Sequence, residues 1–168
     1  MAGQTSASPR QRLVIGAIFV IGGLLICLIA AGVFKPDPRS IHAPLWLIGL
    51  IGLAFALAGG TVMLGASVPD AQADGSLPAT APLSLRVTQY LMGLTIVAAL
   101  AVTGTWVSFG PGERHFTSTV TAFGASSSGA GGETFGRVIF GAGAILTWLF
   151  FILVAVQGAR KLRWSDRV

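Results

Sequence analysis

His42 and His115 are the chain's two histidines, and Glu113 stands two residues before the second of them. With Arg39, Arg114 and Glu133, they bring together the groups most suited to acid–base or metal chemistry at one end of the apolar runs. A histidine beside a carboxylate is the minimal material for a metal site or a general acid–base pair. The spacing argues against both. About seventy residues separate the histidines, and neither belongs to a His-x-x-His or Glu-x-x-His pattern. They read as loop side chains. Arg39 and Arg114 read as interfacial groups, with apolar stems in the membrane boundary and guanidinium heads on lipid phosphate or a partner's acidic loop. His115 belongs to the same outer contact. The single cysteine, Cys27, lies inside an apolar run, so no intrachain disulfide, Cys-x-x-Cys pair or cysteine zinc cluster can form. No catalytic residue, metal ligand or cofactor-binding residue is expected, and the chain is read as not being an enzyme.

The elements that position these groups are built for lipid. Of 168 residues, 53% are hydrophobic and 10% charged, where a soluble domain carries roughly 25% charged residues. The mean hydropathy is +0.77. An ordinary soluble protein is excluded. The 23 glycines and 8 prolines follow no Gly-X-Y period and sit within apolar runs, which excludes collagen-like and low-complexity classes. A net charge of +5 could suggest nucleic acid. The basic residues, however, flank hydrophobic segments, where anionic head groups account for them, and the basic and aromatic spacing of nucleic-acid modules is missing. No nucleic-acid partner is expected.

A hydrocarbon core about 30 Å thick needs about 20 apolar residues in a helix. Residues 13–34, 44–66, 87–109 and 138–159 meet that length without a charge. The expected fold is therefore an all-α integral membrane protein of four transmembrane helices in a bundle. A cytoplasmic tail (1–12) precedes a first hairpin (13–66) and a linker (67–86). A second hairpin (87–159) carries the long outer loop 110–136, and a basic tail (160–168) follows. The first span is preceded by Arg10 and Arg12, as a secretory signal would be, but its apolar part exceeds the usual 7 to 15 residues. It is read as a retained anchor.

Seven Lys and Arg residues flank the spans on the side of the termini and the linker, against four on the opposite side. By the positive-inside rule both termini are cytoplasmic, in a bacterial inner membrane. Trp46 and Trp106 near the outer ends, and Tyr90 near the inner end of the third span, fit an interfacial aromatic belt. The linker, rich in Ala, Pro, Asp and Ser, is expected to be flexible. In the outer loop, residues 116–122 alternate with period two, a pattern for a short strand or hairpin.

A short repeat links the two halves. Phe34 to Arg39 and Phe109 to Arg114 both read Phe-x-Pro-x-x-Arg at an outer boundary, each followed by a histidine. Duplication would make two parallel hairpins related by an axis along the membrane normal. Boundary chemistry is the favoured explanation of the match: proline ends a helix, and arginine reaches the head groups. Both explanations stand at this point.

Ionisable groups inside spans mark proton relays, ion paths and counter-ions. The four spans contain none, which argues against a proton-coupled carrier with a buried carboxylate and against a b-type cytochrome with axial histidines. What they contain instead is small residues that let helix backbones approach, and hydroxyls that bond across. Gly16, Gly22 and Gly23 supply the first span, Gly49, Gly52, Ala56, Gly59 and Gly60 the second, and Gly141 and Ala144 the fourth. Most should be consumed within the chain, leaving one face, including Gly52 and Gly141, for a neighbour. Trp148 sits mid-span, so its indole N–H needs an acceptor, supplied by Thr147 or a carbonyl of a facing helix.

The functional expectation is a non-catalytic accessory or assembly subunit. It would lie in the lipid bilayer, beside other membrane protein subunits, with Arg39, Arg114, His115, Gly52, Gly141 and Trp148 as contact residues. Its rival is a small homo-oligomeric transporter or channel lined by Thr95, Thr103, Thr105, Ser108 and Thr147, because hydroxyls and carbonyls can coordinate ions without charged side chains. A third expectation, a lipid head-group enzyme using His115 with Glu113 or Glu133, has no motif behind it.

Overall fold

The computed structural model describes residues 8–34, 43–68, 71, 75–111 and 131–165, the last segment with its side chains over 136–160. It is all-helical: α1 (Pro9–Ala30), α2 (Leu45–Ser67), α3 (Leu83–Phe109) and α4 (Gly131–Ser165). Each is long and apolar enough to cross a membrane, α4 through its segment Gly136–Arg160.

Local chemistry sets the helix ends. Ser8 caps α1: its hydroxyl accepts from the Gln11 N–H and the Gln11 side chain accepts from the Ser8 N–H, with Pro9 at the first helical position. The helix therefore starts four residues before its uncharged run, carrying Arg10 and Arg12 in its first turn. It stops at Ala30, short of Phe34. Gly32, at φ +76°, turns the chain left-handed, so that its N–H reaches the Ile29 carbonyl and the Val33 N–H the Leu28 carbonyl. This closure satisfies two of the last carbonyls and favours glycine at the turn. Pro44 and Pro82, which cannot donate to a preceding turn, stand just before α2 and α3. The 35 residues of α4 span about 52 Å at 1.5 Å each, well beyond the hydrocarbon thickness.

The helices form an open row. α1 packs on α2, α2 on α3 and α3 on α4, and these are the only helix pairs in contact among the described residues. The expected bundle is thus opened out, with α1 never meeting α4. All three contacts are antiparallel, as the pairs Gly16 with Met63, Trp46 with Trp106, and Tyr90 with Gly158 require. A row buries only the strips between neighbours, and what it buries is small: Ala54, Ala99, Ala101 and Ala144, with Leu47 the largest apolar side chain inside. Leucine, isoleucine and phenylalanine face outward, which suits lipid as solvent.

The α1–α2 seam is made by backbone. Gly16 and Gly23 on α1, and Gly52 and Gly59 on α2, each stand seven residues apart. That spacing returns a residue to within about 20° of the same helix face. A Cβ on Gly52 would lie 2.8 Å from both Cys27 Sγ and the Gly23 carbonyl, and one on Gly59 2.7 Å from the Val20 nitrogen. No side chain fits at these positions. Phe19 stacks on Phe55 beside the seam, with centroids 5.7 Å apart.

Candidate functional site

The α3–α4 seam is built from side chains and carries the chain's polar machinery. Near its middle, Trp148 Nε1 donates to Thr105 Oγ1 at 3.1 Å, and the Thr105 hydroxyl donates on to the Ala101 carbonyl at 2.7 Å. The indole need is met by a hydroxyl of the facing helix. Neither expected acceptor, Thr147 nor a facing carbonyl, takes this bond; Thr147 donates to the Gly143 carbonyl of its own helix. Beside this relay Gly104 faces Ala144, close enough that a Cβ on the glycine would sit 3.3 Å from the alanine methyl.

At the end where α3 begins and α4 finishes, Tyr90 lies flat against Gly158, leaving no room for a Cβ there. Its hydroxyl donates to the Ala155 carbonyl at 2.9 Å. Tyr90 is thus a strut between helices as well as an aromatic at the span boundary. At the preceding position, Gln89 clamps the linker: its Oε1 accepts from the Leu77 N–H at 3.2 Å and its Nε2 donates to the Gly75 carbonyl at 2.7 Å. Gly75 adopts φ +84°, and its backbone lies against Gly65 of α2. Composition reads the linker as flexible; its described stretch 75–82 is tied to α3. Arg86 adds a bond from Nη1 to the Ala79 carbonyl at 3.4 Å.

These contacts border an open cleft of about 330 Å³. Ser76, Leu77, Arg86 and Gln89 line it together with Tyr90, Gly93, Leu94, Val154 and Gly158. The volume lies at the low end of the roughly 300–1,000 Å³ of small-molecule sites. Sequence reasoning did not single out Gln89, Gly158 or this cleft. The available signals were an amide in the first turns of an apolar helix, and a glycine ending the bulky stretch of α4.

Of the residues expected to make outside contacts, Gly52, Gly141 and Trp148 are described. Gly52 and Gly141 are both buried within the chain, Gly52 against α1 and Gly141 beside Ser108 and Phe109 of α3. Both lie in the seams of the row. Trp148 is 37% exposed, with its N–H already bonded. Arg39, Arg114 and His115 lie outside the described residues, as do His42, the Phe-x-Pro-x-x-Arg turns beyond Phe34 and Pro111, and the 116–122 alternation. Among the described residues, no three of His, Cys, Asp and Glu come together as a metal-ion group.

The hydroxyls of the transporter expectation do not converge. At 3.6 residues per turn, Thr95, Thr103, Thr105 and Ser108 spread over about 220° of the α3 circumference. Thr95, Thr105 and Ser108 each donate to the carbonyl four residues back, and Ser108 is buried. Such back-bonding satisfies a hydroxyl within its own helix.

Comparison with protein-family models, with curated proteins and with solved structures finds no match for this chain.

Proposed function

We propose that this chain is a non-catalytic accessory or assembly subunit, set in a bacterial inner membrane with both termini cytoplasmic and packed beside a larger membrane complex. The observation that carries the reading is the open row. α1 and α4 each have one neighbouring helix, and the row folds back on itself nowhere among the described residues. Burial of apolar surface does not drive helices together in lipid, so an exposed leucine is no sign of a partner. The small residues left over are more telling. Gly22 on α1 and Gly143 on α4 have no atom within 4 Å of where a Cβ would stand. These are positions where a foreign backbone can approach, after the chain's own seams have taken the other glycines.

The test is purification of the tagged full-length chain from its native membrane in mild detergent, followed by native-size separation and mass spectrometry. A stoichiometric complex with a second, larger membrane protein is the expected result. Gly143→Leu should release the chain from that complex while leaving its own helicity and thermal transition unchanged. A monomer or a homo-oligomer in the native membrane extract would overturn the reading.

A further inference from the structure

The two hairpins meet at the linker end through a piece of the linker itself. Gly75, at φ +84°, lays its backbone between α2 and α3 in a conformation that suits a residue without a side chain. On the α3 side its carbonyl oxygen accepts from Gln89 Nε2 at 2.7 Å. On the α2 side the same oxygen stands 2.8 Å from where a Cβ on the buried Gly65 would be. One carbonyl thus touches both helices. Two residues on, the Leu77 N–H donates to Gln89 Oε1 at 3.2 Å, so a single amide holds the stretch 75–82 at two points, and Ala81 within it is buried. The next residue of α3, Tyr90, reaches the other way, to the Ala155 carbonyl of α4. Positions 89 and 90 therefore connect α3 to the linker on one side and to α4 on the other.

Elsewhere along the α2–α3 seam the described contacts are of a softer kind. At the far end Trp46 meets Trp106 edge to face, with centroids 6.4 Å apart. Between the two ends Gly60 lies beside Met92, whose Cε would be 3.7 Å from an added Cβ. An aromatic edge and a thioether accommodate tilt between helices. Hydrogen bonds weaken steeply once their geometry is lost. We propose that the stretch 75–82 is a latch that fixes the angle between the hairpins. Freeing Gln89 from it lets the α3–α4 hairpin pivot against the α1–α2 hairpin about the Trp46–Trp106 contact and opens the row at the linker end. Each hairpin turns as a unit, the first through its glycine seam and the second through Tyr90 and Trp148. Whatever draws the linker away from α3 thereby changes the lipid-facing shape of the row. The latch does not depend on the subunit reading, since it joins two halves of one chain.

The experiment is spin-label distance measurement by pulsed electron paramagnetic resonance on the full-length chain in mild detergent, in a Cys27→Ser background. Cysteines at exposed positions give three pairs: Ser67 with Gln157 at the linker end, Leu45 with Phe140 at the far end, and Leu91 with Val156 within the second hairpin. Gln89→Leu keeps the bulk of the side chain and removes both bonds. It should lengthen the Ser67–Gln157 distance by more than about 2 Å, the scale of a true rearrangement, while the other two pairs move by less than about 1 Å. Gly65→Ala, which pushes on the Gly75 carbonyl from the α2 side, should reproduce that pattern with Gln89 intact. An unchanged Ser67–Gln157 distance in Gln89→Leu would overturn the proposal. So would equal lengthening of the far-end pair, because the hairpins would then separate without pivoting. A matching change within the second hairpin in both variants would also overturn it, because the helices would then be loosening together.

Discussion

The two hairpins of this chain solve the same packing problem in opposite ways. Between α1 and α2, four glycines bring backbone against backbone, and a side-chain hydrogen bond crosses the seam from Cys27 Sγ to the Gly49 carbonyl, at 3.6 Å. Between α3 and α4, side chains cross: Tyr90 to Ala155, Trp148 to Thr105. The first seam has no volume to spare and no chemistry to offer. The second holds its helices apart with aromatic struts, and the space beneath one of those struts is the cleft. Tight glycine packing gives a rigid, closed pair, whereas strut packing leaves room beside the helices.

That contrast ranks the consequences of substitution. The largest effect belongs to the glycine seam. Gly23→Leu or Gly59→Leu must push the α1 and α2 backbones apart, at a cost of about 3 kcal/mol or more. Reversible unfolding in mixed micelles should show a strongly lowered midpoint, and an unchanged midpoint would refute the close approach. Thr105→Val comes next. It leaves the Trp148 N–H without its acceptor inside the apolar layer, for about 1–2 kcal/mol, and Thr105→Ser should restore most of it. A loss that serine fails to recover would point to the methyl group rather than the hydrogen bond. Tyr90→Phe keeps the ring on Gly158 and removes only the bond to Ala155, so about 0.5–1 kcal/mol is expected in the same titration. Smallest of all, Gly22→Ala and Gly143→Ala should shift the detergent-solubilised chain by no more than about 0.5 kcal/mol, because their added methyls meet nothing. If these two cost as much as the seam glycines, the division of the glycines into spent and unspent would fail.

The four helices are legible in the sequence because lipid demands a length and a polarity that few other elements share. Their ends follow from residues that can be read in place. Ser8, Pro9 and Gln11 start α1 a turn earlier than hydropathy suggests, and Gly32 stops it four residues sooner. α3 begins at Leu83, because Arg86 at a membrane boundary interrupts an uncharged run without interrupting a helix. The row was not legible. Each helix is apolar around much of its circumference, so no polar stripe marks an outside and no apolar stripe an inside, and a bundle and a row share one hydropathy pattern. The Trp148 requirement was readable and its acceptor was not, since inter-helix register decides between Thr147 and Thr105 and a single helix carries no record of it. The cleft was hidden for a related reason. Gln89, Tyr90 and Gly158 matter only through a linker and a helix that the fold brings to them.

The account rests on the row being completed by another protein. In intact native membranes, a photoreactive amino acid placed at Leu149, exposed on α4, tests this most directly. A buried position such as Ala144 serves as the internal control. The account predicts a single discrete adduct between Leu149 and one different, larger membrane polypeptide, lost when Gly143→Leu is present, with Ala144 yielding only intrachain products. Adducts from Leu149 to lipid alone, or to a second copy of this chain alone, would contradict it.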